Sequence, residues 1–279
     1  MFKKVFVTGG SGDLGKLLIS NFDCTRQAWV NYDLVSCSSK GTHFNGDICN
    51  QELMNEAMKG CDIVIHIAAL HGIHELRGVS KEEFHRVNVK GTATVLESMR
   101  QNNVRKLVFL SSESVNKPES VYGQTKVECE MMISRFCFEQ ATQAVSLRCR
   151  SFVPSTNIAV YANPLEWLKY FAKGGVHVMD VVRSVLCGMQ FLTNEYRNRN
   201  TIVTIDGKYE VAPNVLPICW EHYVKSLFKY EVPEMFLFLL ESIPKIKVGR
   251  ESYPNEIGYT PIFGLREAIE EVKHVQWTK

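Results

Sequence analysis

The run Thr8-Gly9-Gly10-Ser11-Gly12-Asp13-Leu14-Gly15 constrains this chain more than any other feature, because it follows the short β-branched stretch Val5-Phe6-Val7 and opens an amphipathic segment. Glycines 9, 12 and 15 keep a G-x-x-G-x-x-G spacing. One permits a tight turn, one lets a pyrophosphate approach backbone N–H groups at a helix N-terminus, and one lets that helix pack on the strand. Further apolar or β-branched runs at 29–32, 63–67, 107–110 and 145–147 alternate with helical patterns at 83–99 and 123–138. That alternation predicts an α/β fold, a doubly wound parallel sheet with helices on both faces. After Arg148 the rhythm breaks: 151–175 is irregular around Pro154 and Pro164, 178–192 reads as a helix, 201–205 as a strand and Leu265–Val275 as a last helix. The expected organisation is a nucleotide-binding domain over 1–150, with 176–205 returning to it. Residues 151–175 and 206–279 then form a small C-terminal substrate lobe.

The 279 residues are 45% apolar and 22% charged with a net charge of +2, which excludes disordered, collagenous and coiled-coil chains. The balance also argues against an electrostatic nucleic-acid or membrane-surface binder, so neither partner is expected. The longest apolar run, Met235 to Leu240, is far below the roughly 20 residues of a bilayer span. Nine cysteines without a C-x-x-C pair read as thiols packed in a reducing compartment. The charged start Met1-Phe2-Lys3-Lys4 leaves no room for a secretory leader, so a cytoplasmic location is expected. His66, His71 and His74 lack a ligand-bearing pattern, and no metal is expected. Trp167, Tyr170 and Phe171 read as lobe core.

Asp33 lies eighteen residues after Gly15 at the end of the second strand, where a carboxylate accepts the adenosine ribose hydroxyls and repels a 2′-phosphate, favouring NAD over NADP. Asp47, in Asn45-Gly46-Asp47-Ile48, is placed to meet the adenine amino group. Downstream, Ser111-Ser112 ends a buried strand, and Tyr122 and Lys126 are four apart on the helix that follows. Four-residue spacing puts the ammonium beside the phenol and favours phenolate. A serine hydroxyl on the strand end can then hold a substrate oxygen while the tyrosine exchanges its proton. Arg148 and Arg150 alternate on an extended segment; they are candidates either for an anion or for structural ion pairs.

Together these motifs resemble the extended short-chain dehydrogenase/reductases, the NAD-dependent epimerase/dehydratase family. Thr8-Gly9-x-x-Gly12-x-x-Gly15, His66-Ile67-Ala68-Ala69, Asn88-Val89-Lys90-Gly91-Thr92, Tyr122-Gly123-Gln124-Thr125-Lys126, the helix start at 175–180 and Ile257-Gly258-Tyr259-Thr260-Pro261 occur in family order. The resemblance implies a Rossmann-type sheet and an NAD-dependent oxidoreductase or epimerase acting on a secondary hydroxyl or ketone of a sugar or nucleotide sugar. It makes Tyr122 the acid–base group, Lys126 its tuning residue and nicotinamide-ribose contact, and Ser112 the holder of the reacting oxygen. Gly9, Gly12, Asp13, Leu14 and Gly15 would line NAD at the turn. Asp33, Asp47, Ile48, Ala68, Ala69 and Asn88 would complete its wall. His71, Glu113, Arg150 and Ser151 are the substrate-side candidates, and a homodimer is the candidate assembly.

The sequence also departs from the family. Glu113-Ser114 replaces the Asp-Glu pair that dehydratases carry after the catalytic Thr, and Ser151 stands in the segment where nucleotide-sugar enzymes often have Asn. Those departures and the short lobe favour a smaller substrate, and Arg148 to Pro154 is similar to hexuronate dehydrogenases, so a free sugar acid is the alternative. A non-catalytic NAD(P)-binding redox sensor is the alternative from another class.

Overall fold

The computed structural model describes residues 2–21, 27–36, 41–152, 175–194, 199–208, 210–211, 245–246, 253–264 and 267. Trp167, Tyr170, Phe171, the run at 235–240 and nearly all of the expected last helix lie outside them. The chain runs β1 (Lys4–Thr8), α1 (Asp13–Ser20), β2 (Ala28–Asp33), β3 (Thr42–Asn45), α2 (Gln51–Ala57), β4 (Ile63–His66), α3 (Gly72–Leu76), α4 (Lys81–Phe84), α5 (Gly91–Gln101), β5 (Lys106–Ser112), α6 (Val121–Glu139), β6 (Gln143–Cys149), α7 (Val178–Asn194) and β7 (Asn200–Ile205). A two-residue antiparallel pair, β8 (Glu210–Val211) and β9 (Lys245–Ile246), stands apart.

The first seven strands form one parallel sheet in the order β3-β2-β1-β4-β5-β6-β7. Strand order reverses at β1, and the crevice in which such folds bind ligands lies at the carboxyl ends of the strands there. Burial explains why the strands read as continuous apolar runs: Val5, Phe6, Val7, Ile63, Val64 and Ile65 are all at most 1% exposed, because helices cover both faces. One face packs Val5 and Val7 with Leu14, Leu18, Val181, Val185 and Leu192 of α1 and α7. The other packs Phe6, Val64 and Phe109 with Met54, Val95, Met99 and Ile133 of α2, α5 and α6. Among the described residues no helix is long and apolar enough to cross a membrane. The described cysteines are free thiols.

One expected helix divides. The pattern at 83–99 becomes α4, a π-helical turn over His85–Lys90, and α5. A Cβ on Gly91 would come within 2.7 Å of Ile48 Cγ2, so Gly91 lets Ile48 lie against the helix. The wider turn, which is poorer in hydrogen-bond geometry and frequent at functional sites, turns Asn88 into the core at 2% exposure.

Candidate functional site

The crevice is a cavity of about 1080 Å³ that runs from the end of β2, across the glycine turn, to the start of α6. At the turn, Gly9 has φ +75° and its N–H donates to Tyr32 O at 3.0 Å. A Cβ there would meet Ala68 N at 2.7 Å, and one on Gly15 would overlap the backbone of Gly9 and Gly10. The β1–α1 turn therefore lies directly against the strand end that carries Ala68, and only glycine permits it. No side-chain hydrogen bond caps α1 at Gly12, and the positive dipole end of the helix stands at the cavity, where an anion is favoured. Gly9, Gly12, Asp13, Leu14, Gly15, Ala68 and Ala69 all line this part of the cavity.

Asp33 lines the β2 end, with Oδ2 accepting from Ser11 N at 2.9 Å and Oδ1 from Val35 N at 3.2 Å. These bonds orient the carboxylate, whose remaining lone pairs can accept ribose hydroxyls. Asp47 and Ile48 line the neighbouring wall. Asp47 accepts from Cys49 N and from Arg86 Nη1, each at 2.8 Å, and the Cys49 N–H is the foremost cause of its lowered pKa, with Arg86 contributing. Arg86 also grips Glu83 with two bonds of 2.8 Å. The sequence reading missed Arg86, although its i, i+3 spacing from Glu83 was readable. The walls thus offer a glycine cradle, a helix N-terminus and a strand-end carboxylate, a donor and acceptor set that fits NAD.

Asn88 sits behind the cavity wall rather than on it. Its Oδ1 accepts from Leu70 N at 2.8 Å, and its Nδ2 donates to Leu70 O at 2.9 Å and to Thr125 Oγ1 at 3.0 Å, so it fixes the segment after Ala69 to α6. His66 is likewise structural. Thr92 Oγ1 donates to Asn88 O, which leaves His66 Nε2 to donate to Thr92 at 2.9 Å and Nδ1 to accept from Thr8 at 2.7 Å.

Burial, with a smaller push from Lys126, drives His66 down to about 3 from 6.5. The unfolded chain therefore takes up a proton near pH 6.5 that the native state refuses until about pH 3. The stability from neutral His66 is complete above pH 6.5 and is lost as pH falls through that window, at up to about 1.4 kcal/mol per unit. Thermal denaturation across pH 4 to 7 is expected to give a steeper loss for wild type than for His66→Gln; equal slopes would contradict the network.

At the other end, β5 delivers Ser112 and α6 delivers Tyr122 and Lys126, all lining the cavity. Ser112 Oγ accepts from Ser114 N at 3.2 Å, which fixes the tight turn at 113–116. Gly123 lets that turn approach α6, since a Cβ there would stand 2.9 Å from Ser114 O. Lys126 is 3% exposed, donates to Leu110 O at 2.7 Å, and lies 4.6 Å from the centre of the Phe109 ring and 5.8 Å from that of Tyr122. Burial brings Lys126 down to about 8. Burial also pushes the Tyr122 phenol up to about 12, while Ser112 pulls it the other way. A phenol, a hydroxyl and an ammonium meet here beside the cavity, a set able to exchange a proton with a bound oxygen.

The arginines separate. Arg148 does not line the cavity: its Nε and Nη2 bind the Glu130 carboxylate, the latter at 2.7 Å, and its Nη1 donates to Asn116 Oδ1 at 3.1 Å. Arg150 does line it, with Nε 2.8 Å from Asp206 Oδ1 and 3.4 Å from Glu113 Oε2. His71 and Ser151 line it too; Glu113 is not on the wall and meets it through Arg150. His74, Ser114, Ser120 and Cys149 also reach the wall. Sequence spacing carried no signal for them, because separate elements bring them in.

Comparison with known proteins agrees with this geometry. The model of the NAD dependent epimerase/dehydratase family matches residues 5–156, more than half of the chain, and the chain belongs to that family of NAD-dependent proteins. A quinoline-oxide ketoreductase from Stigmatella aurantiaca is 29% identical over 153 residues, 47% of this chain and 45% of the relative, so the chain spans under half of that protein's length. UDP-glucose 4-epimerase from Streptomyces lividans is 29% identical over 99% of this chain and 82% of the relative. Among solved structures, MoeE5 in complex with UDP-glucuronic acid and NAD superposes with a TM-score of 0.63 at 21% identity, over 76% of this chain and 79% of that one, a likeness of fold.

Proposed function

We infer that this protein is an NAD-dependent oxidoreductase or epimerase that acts on a secondary hydroxyl or ketone of a nucleotide-linked sugar. The observation that carries the reading is the convergence of Ser112, Tyr122 and Lys126 at one end of a cavity whose other end holds the glycine cradle and Asp33. NAD, bound along the turn, supplies hydride acceptance and return. Ser112 holds the substrate oxygen by a hydrogen bond. Tyr122 takes the hydroxyl proton and later returns it. Lys126, charged at neutral pH with a pKa near 8, stabilises the phenolate through its charge. Retention of all three groups counts against a non-catalytic sensor.

Two observations favour a nucleotide sugar over a free sugar acid. Arg150, the guanidinium on the wall nearest Ser112, already pairs with Asp206 and Glu113, so it is engaged within the protein rather than held open for a substrate carboxylate. The similarity to the Streptomyces epimerase also runs along 99% of the chain. Glu113, engaged by Arg150, and Ser114 in place of a second acid point away from water elimination and toward redox or epimerisation.

The test is a panel of UDP-glucose, UDP-galactose, dTDP-glucose, free aldoses and free uronic acids, incubated with purified protein and NAD. NADH absorbance and product chromatography are the readouts. Turnover on a nucleotide sugar, either to its epimer or with net NADH, is expected. Turnover confined to free uronic acids would reverse the substrate assignment, and NAD binding with no turnover on either class would favour the sensor.

A further inference from the structure

The first turn of a helix leaves backbone N–H groups that the helix itself cannot satisfy, and at α6 those groups have two acceptors from outside. Ser120 Oγ accepts from Gly123 N at 3.0 Å. The Glu75 carboxylate, half-buried and carried by α3, accepts from Val121 N through Oε1 at 3.1 Å and from Tyr122 N through Oε2 at 3.3 Å. An anionic acceptor at the positive end of a 19-residue helix makes stronger bonds than a neutral one. The backbone it grips is that of Tyr122 itself. The same short helix α3 places Gly72, Ile73, His74 and Leu76 on the cavity wall, with its N-cap residue His71 beside them. One element therefore lines the cavity and anchors the residue whose phenol faces it.

We propose that Glu75 is a positioning residue for Tyr122: its two bonds set where the phenol stands relative to Ser112 and the bound oxygen, and they couple the α3 wall to the proton-transfer group. The proposal rests on the reading of Tyr122 as the acid–base residue. Displacement of a reacting group by about 1 Å can cost up to about 10²-fold in rate, so loss of the anchor acts on the chemical step. It leaves the glycine turn and Asp33 untouched, and with them NAD affinity.

The experiment compares Glu75→Ala and Glu75→Gln with the full-length wild type. Amide hydrogen exchange at the start of α6, NAD affinity by calorimetry, and kcat and KM on the UDP-sugar the wild type uses are measured. In Glu75→Ala, the Val121 and Tyr122 amides are expected to exchange faster and kcat to fall roughly tenfold, with NAD affinity and KM near wild type. Glu75→Gln, which keeps the length and one acceptor oxygen, is expected to recover most of the rate and stop about two- to threefold short. Unchanged exchange in Glu75→Ala would overturn the contact without any need for a substrate. Wild-type kcat per folded molecule, or a loss of NAD affinity as large as the loss of kcat, would overturn the positioning role. Should the alanine variant not fold, Glu75→Gln decides alone: reduced kcat with unchanged NAD affinity supports the proposal and wild-type kcat overturns it. A fully active Tyr122→Phe would instead remove the reading of Tyr122, whatever Glu75 does.

Discussion

Tyr122→Phe is expected to lower kcat by about 10²- to 10⁴-fold, the range for losing a positioned acid–base group, while calorimetry finds NAD affinity close to wild type. The asymmetry follows from the geometry. The ring packs beside Lys126, whose Nζ is 5.8 Å from the ring centre, and phenylalanine preserves that packing; only the hydroxyl beside Ser112 is removed. Lys126→Ala is expected to lower both rate and NAD affinity, because its ammonium is assigned to the phenolate and to the cofactor ribose. Burial pushes the phenol up to about 12 even with Ser112 pulling the other way, so proton transfer at neutral pH needs a positive charge beside the phenolate. The rate at neutral pH therefore depends on Lys126 and on the Ser112 hydroxyl. Wild-type turnover by Tyr122→Phe on the same nucleotide sugar would refute the mechanism.

Arg148→Met is expected to cost about 3–5 kcal/mol of stability, the range for stranding one partner of a buried ion pair. For a chain of this size that corresponds to a melting temperature lower by about 10 °C. Glu130, whose side chain is 6% exposed, would keep only the Ser111 hydroxyl among its described partners. The double variant Arg148→Met/Glu130→Leu, which removes both charges, should regain most of the loss. Neither variant should alter the choice among sugars in the panel. A change of specificity without loss of stability in Arg148→Met would restore Arg148 as a substrate group. The pair also ties Asn116 to β6, which holds the turn that follows Ser112.

The sheet and the cofactor end of the cavity were legible in the chain because their signals are local. The glycine turn is read from the spacing of Gly9, Gly12 and Gly15, and its necessity is confirmed by the backbone that a Cβ at Gly9 or Gly15 would strike. The apolar runs that became β1, β4 and β5 mark strands covered on both faces, a pattern that depends on no distant partner. That Ser112, Tyr122 and Lys126 line one cavity was readable because strand-then-helix order and a four-residue helical spacing bring them to one place.

Long-range pairing decided the rest. Arg148 and Arg150 are two residues apart and look equivalent in sequence. Only the fold sends one to Glu130 on α6 and the other to Asp206 and the cavity. Asn88 belongs to a recognisable motif, yet a π-helical turn directs it to Leu70 behind the wall. Glu75 carries no motif at all, and its partners at Val121 and Tyr122 lie 46 and 47 residues away. Backbone periodicity and steric limits on glycine act within a few residues, so the sequence alone determined the elements, their order and the cradle. Ion pairs and helix caps depend on which elements the sheet brings side by side, and that only the tertiary structure decided.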